Sequence, residues 1–160
     1  MLRGHPNLLS QLEAEVSQQG GLLREFIFGF AEREPVVELF LAVMAWGFGT
    51  KVRWPHQRMM LTSPIPKDKV IEIIRNTRDD GAGAGRTAFR TDQHVPGLGP
   101  AFGSKLLYFA GYGRSPKPWP LILDDNVLTA LNHRETGLGE AFKYRYADYK
   151  RGPPRGSWRL

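Results

Sequence analysis

Two short segments of this 160-residue chain hold residue types and spacings that could do chemistry on a polyanion. The first is Val95-Pro96-Gly97-Leu98-Gly99, followed at once by Pro100 and an apolar stretch. Glycines here let the backbone turn sharply and leave no side chain between it and a partner. The spacing predicts that the amides of Gly97, Leu98 and Gly99, with that of Ala101 in the next helix's first turn, point outward at the positive end of a helix dipole. Such a place holds a phosphate without regard to base sequence. Pro100 suits the first helical position, where a missing N–H costs nothing. An ordinary helix–helix corner would also use these glycines. The second segment is Asp124-Asp125, the only acids between Gln93 and Arg134. Asp124 suits the cap of the following helix. A carboxylate beside a phosphate-binding surface nevertheless opposes polyanion binding. That cost is understandable if it stabilises a cationic transition state or activates a nucleophile.

Charge points to the same partner. There are 22 Lys and Arg against 16 Asp and Glu, a formal charge of +6, and the sequence pI is near 9.8. Lys143 to Leu160 holds six bases and one acid, Asp148, with Tyr144, Tyr146, Tyr149 and Trp158 interleaved. Lys51 to Arg58 adds Lys51, Arg53 and Arg58 with Trp54 and His56. Cations meet phosphates and flat rings stack on bases, so the pattern suits nucleic acid; a solvated tail is the plainer reading for the last ten residues. Cysteine is absent, which excludes disulfides, thiolate metal sites, iron–sulfur clusters and a thiol nucleophile. His5, His56, His94 and His133 have no ligand spacing, so no catalytic metal is expected. The longest apolar run, Leu39 to Phe48, is about half of a membrane span. The N-terminus lacks a signal-peptide stretch. A cytoplasmic, nucleoid-associated monomer without membrane contact is the expectation.

The elements that must position these residues read as helices. Leu8, Leu9, Leu12 and Val16 fall at helical spacing and Gly20-Gly21 stops them. A second helix is expected over Leu22 to Phe30. A third, apolar all round and therefore central, begins near Pro35, runs to about Trp46 and is closed by Gly47 and Gly49. Residues 51–66 read as irregular. Lys67 to Arg78 is amphipathic. Gly81 to Arg86 (GAGAGR) follows a helix and lacks the Lys-Ser/Thr ending of a phosphate loop, so it reads as a connector. The hairpin spans about 95–112, with Phe102, Leu106 and Phe109 as the core stripe of its second helix and Gly111 and Gly113 as its end. A Pro-rich linker with Trp119, the aliphatics Leu121 to Leu123, the Asp pair and another helix follow. No alternating pattern appears. The fold class is all-α: one domain over 1–150 and a basic Pro/Gly-containing tail over 151–160.

The order of PGLG hairpin, helix, Pro-rich linker, aliphatics, Asp and helix resembles the helix-hairpin-helix (HhH-GPD) DNA glycosylase superfamily of base-excision repair. The segments GLGPAFGSKLLYFAGYG and ILDDNVL look most like its 8-oxoguanine glycosylases. The specific likeness covers about 95–131, roughly a quarter of the chain. It implies duplex DNA with a damaged base as partner and an oxidised purine, such as 8-oxoguanine, as substrate. It also implies cleavage of the N-glycosidic bond supported by Asp124, and a phosphate-contacting residue at Asn126. Bifunctional members carry a catalytic Lys two residues after the hairpin's last Gly, where this chain has Ala101. Lys105 lies one turn later on the same face, and helical side chains lean toward the N-terminus, so its amine could reach back to that place. Either Lys105 is a relocated nucleophile that attacks C1′, or it holds phosphate and water attacks in a monofunctional enzyme. The resemblance requires no cofactor and allows a structural monovalent cation at the hairpin.

A base must leave the duplex before its glycosidic bond can be reached. Trp46, Phe48, Trp54 and Trp119, each beside an expected loop, are candidates to hold it; core packing is the alternative for each. Two other functions remain open: a non-enzymatic hairpin module that binds DNA, with Asp124 only a cap, and an interaction protein whose basic tail binds RNA or an acidic partner.

Overall fold

The computed structural model describes residues 6–33, 35–49, 67–90, 95, 98–124, 126, 127 and 129. Among them are six helices, further helical residues at Asn126, Val127 and Thr129, and no strand. These are α1 (Pro6–Gln19), α2 (Arg24–Phe28), α3 (Val37–Phe48), α4 (Lys67–Asp80), α5 (Ala82–Arg90) and α6 (Pro100–Gly111). The all-α expectation holds. Trp54, Gly97, Asp125, both basic aromatic stretches and the 151–160 tail lie outside the described residues.

Two helices organise the rest. Val37 and every residue from Leu39 to Met44 in α3 are buried. A helix apolar on all sides loses most by facing water, and α3 accordingly packs against α1, α2, α4 and α6. Helix α6 touches α2, α3, α4 and α5. Leu8, Leu12, Ile27, Phe30, Phe40, Ile73, Ile74, Leu98, Leu106 and Phe109 fill the space between them. No helix among the described residues is long and apolar enough to cross a membrane.

Two glycine readings change. Gly47 does not close α3, which continues to Phe48 and ends at Gly49 with φ +55°. Gly47 is instead a point of close approach. A Cβ there would lie 2.6 Å from the Phe102 ring and 3.4 Å from the Lys105 stem. In GAGAGR only Gly81, with φ +96°, breaks the chain, and Ala82–Arg90 is helical. A helical glycine costs about 1 kcal/mol relative to alanine. Gly85 offsets this by admitting Thr77 of α4 and Leu107 of α6 where a side chain would collide with both.

Candidate functional site

The hairpin sits on a buried residue. Leu98 is fully buried, and its amide, expected to point outward to a phosphate, is instead spent on the Val95 carbonyl at 3.0 Å, so its side chain anchors the turn and its N–H closes it. Gly99 precedes Pro100, and the first helical bond runs from the Gly103 amide to the Gly99 carbonyl at 2.7 Å. Ala101 and Phe102 are in the first turn, whose amides have no acceptor within the helix. Gly99 has φ −79°, which any residue adopts, and a Cβ there would meet nothing within 4 Å. The room beside the backbone, rather than its conformation, is what glycine supplies here.

From this turn α6 carries Lys105 inward. The expected Phe102, Leu106 and Phe109 stripe left Lys105 outside the core, yet the residue is only 7% exposed. Helix α6 is enclosed by four others, so its buried surface is wider than one stripe. The ammonium is not stranded there. Lys105 Nζ donates to Asp124 Oδ2 at 2.7 Å, across 19 positions of sequence. The Phe102 ring lies 5.5 Å from the same nitrogen.

Asp124 uses its two oxygens for two tasks. Oδ1 accepts the Val127 amide at 3.1 Å, the bond of a helix cap, and Oδ2 accepts from Lys105. Capping and an ion pair with the one cation of α6 are therefore not alternatives. Burial pushes the carboxyl up. The Lys105 hydrogen bond, the Val127 amide, the Lys105 charge and the Asn126 amide outweigh it and hold the group below its ordinary value. The result is a carboxylate kept ionised in a half-buried place. Asn126 is exposed in the first turn of the helix that Asp124 caps.

Ser104 was not singled out by its type or spacing, yet it sets this geometry. Its Oγ accepts the Leu123 amide at 2.9 Å and shares its proton between the Leu123 and Ala101 carbonyls at 3.2 and 3.1 Å. The residue before Lys105 thus grips the residue before Asp124. Neighbouring pairs, Ser104–Leu123 and Lys105–Asp124, tie the linker to α6. One serine among helical residues gives no sequence signal of this, because its partner lies 19 positions away.

The aromatic candidates divide. Phe48 packs on Phe102 at 4.8 Å, beside Lys105. Trp46 stands edge-on to Phe109 at 5.1 Å, with the Arg24 guanidinium 5.7 Å from its centre. Trp119 lies beyond the C-terminal end of α6, tilted against Tyr112 at 5.1 Å and donating its indole N–H to the Ser115 carbonyl at 3.0 Å. Both Trp46 and Phe48 belong to the last turn of α3. Among the described residues no three His, Asp or Glu side chains gather as metal ligands.

A family model described as "Putative 8-oxoguanine DNA glycosylase OGG-like protein" matches residues 2–152. The chain belongs to that family. No curated protein and no solved structure matches it. The match to this OGG-like family runs well beyond the hairpin, taking in the helices that enclose α6 as well as the Lys105–Asp124 pair.

Proposed function

We propose that this OGG-like protein is a base-excision DNA glycosylase that removes an oxidised purine such as 8-oxoguanine, with Asp124 and Lys105 as its catalytic pair. The observation that carries the reading is the 2.7 Å contact between Lys105 Nζ and Asp124 Oδ2, one helical turn inside a phosphate-competent hairpin. Family membership supports it.

The amides of the first turn of α6 and the dipole of that helix hold the DNA backbone, and the target nucleotide leaves the stack so that C1′ lies against the pair. As the bond from C1′ to the base nitrogen lengthens, its electron pair departs with the base and the sugar gains positive charge. An ionised Asp124 stabilises that charge. Lys105 then attacks C1′ with its nitrogen lone pair after passing one proton to Asp124 or to the departing base. Loss of a second proton and opening of the C1′–O4′ bond, with O4′ protonated, leave a Schiff base. Loss of a C2′ proton and cleavage of the C3′–O bond, its electron pair leaving with the 3′ phosphate, complete a lyase step.

The same ion pair favours one other course. Lys105 would stay cationic, fix Asp124 and leave the attack to water, giving a monofunctional glycosylase. Borohydride trapping on a duplex with 8-oxoguanine opposite cytosine separates the two. A covalent protein–DNA band that Lys105→Gln abolishes establishes the amine nucleophile. Base release with no band establishes water. Neither band nor release would overturn the 8-oxoguanine assignment.

A further inference from the structure

Next to the Lys105–Asp124 pair is a flat-sided seat that neither residue explains. Its floor is Phe109, fully buried. Trp46 and Tyr108 stand on that floor like two walls, at 80° and 78° to its plane and with centroids 5.1 and 5.2 Å away. Over both walls lies the Arg24 guanidinium, 5.7 Å from each ring centre. Arg24 is exposed at the first position of α2, while both walls are half-buried.

The seat shares a helix face with Lys105. Tyr108 is three residues beyond Lys105 on α6, so the two neighbour each other on one face. Trp46 immediately precedes Gly47, whose missing side chain lets the Lys105 stem approach within 3.4 Å of a Cβ position. Indole and phenol faces are electron-rich and flat, and they accept either a planar cation or a planar base. A guanidinium is the planar cation already there.

We infer that the Trp46–Tyr108 seat receives the extrahelical nucleobase, and that Arg24 occupies it in the free protein and is displaced by the base. The inference rests on the glycosylase reading and assigns its base site. It selects Trp46 from the aromatic candidates, adds Tyr108 and Arg24, and leaves out Trp119, which packs on Tyr112 rather than on the seat.

Binding of three duplexes tests it without turnover. One carries the non-cleavable 2′-fluoro-arabino form of 8-oxoguanosine opposite cytosine, one carries tetrahydrofuran at that position, and one is undamaged. Tetrahydrofuran keeps the phosphates and lacks the base, so the affinity ratio between the first two isolates what the base contributes. Trp46→Leu and Tyr108→Leu should each lower that ratio about tenfold while tetrahydrofuran binding is kept. Arg24→Ala should raise it about fivefold, because the base no longer competes with a cation held on two rings. If Trp46→Leu does not fold by circular dichroism, Tyr108→Leu and Arg24→Ala carry the test. A wild-type preference for the lesion duplex with an unchanged ratio in the variants overturns the seat alone. A wild type that does not prefer the lesion duplex to undamaged DNA overturns the 8-oxoguanine glycosylase reading and the seat with it.

Discussion

Two lysines among the described residues are buried, and they are buried for different ends. Lys69 on α4 is 4% exposed, and its Nζ donates to Glu72 at 2.8 Å, three residues along the same helix. Glu72 is 46% exposed, so that pair is local and reaches water. Lys105 is paired at a similar distance with Asp124, but across 19 residues, and the Asp124 side chain is only 18% exposed. Asp124 is also held by backbone amides and by the Ser104 grip on Leu123. A local pair forms with its helix and supports only that helix. The distant pair exists only once the hairpin, α6 and the linker are assembled, and taking two charges out of water has a cost that α6 alone does not require. The contrast is what makes the second pair the candidate reaction centre.

Breaking the distant pair should have the largest effect. Lys105→Gln and Asp124→Asn should each lower base release about 10²- to 10⁴-fold in single-turnover assays, while Asp124→Asn keeps an oxygen for the Val127 cap. Ser104→Ala comes next. It leaves the Leu123 amide without its acceptor and frees Asp124 to drift. It should cost about 1–3 kcal/mol in urea unfolding and about 10- to 100-fold in base release. Gly47→Ala places a methyl group against Phe102 and the Lys105 stem. It should cost about 1–3 kcal/mol, with activity falling because the lysine is pushed.

Acidity sharpens the comparison further. Because the Asp124 carboxyl is held below its ordinary 3.8 in the fold, its stabilising contribution is complete above that value. It is lost as pH falls through the folded value. The stability gap between wild type and Asp124→Asn, measured by urea midpoints, should therefore be full at about pH 5 and close in stronger acid. The smallest effect belongs to the local pair. Lys69→Met should change stability by about 1 kcal/mol or less and leave base release as it was.

Much of this site is legible in the residues themselves. Pro100 and Gly111 bound α6, Gly113 turns the chain after it with φ +76°, and Asp124 caps a helix, all through short-range chemistry. What periodicity misses is what several helices do together. Phe102, Leu106 and Phe109 mark one stripe, whereas α6 also buries Gly103, Lys105, Leu107 and Ala110 because α2 to α5 surround it. The helical state of GAGAGR depends on Thr77 and Leu107 filling the place of a Gly85 side chain. Gly47 resembles a stop until Phe102 is seen lying against it. The Ser104 grip needs its partner 19 positions away, so no local pattern shows it.

The most direct test of the Lys105–Asp124 pair as the reaction centre is single-turnover base release from an 8-oxoguanine duplex. Hot alkali cuts every abasic site, so the readout does not depend on lyase activity. The account predicts release by the wild type and a loss of about 100-fold or more in Asp124→Asn with duplex binding retained. Wild-type rates in Asp124→Asn, or no release by the wild type, would contradict it.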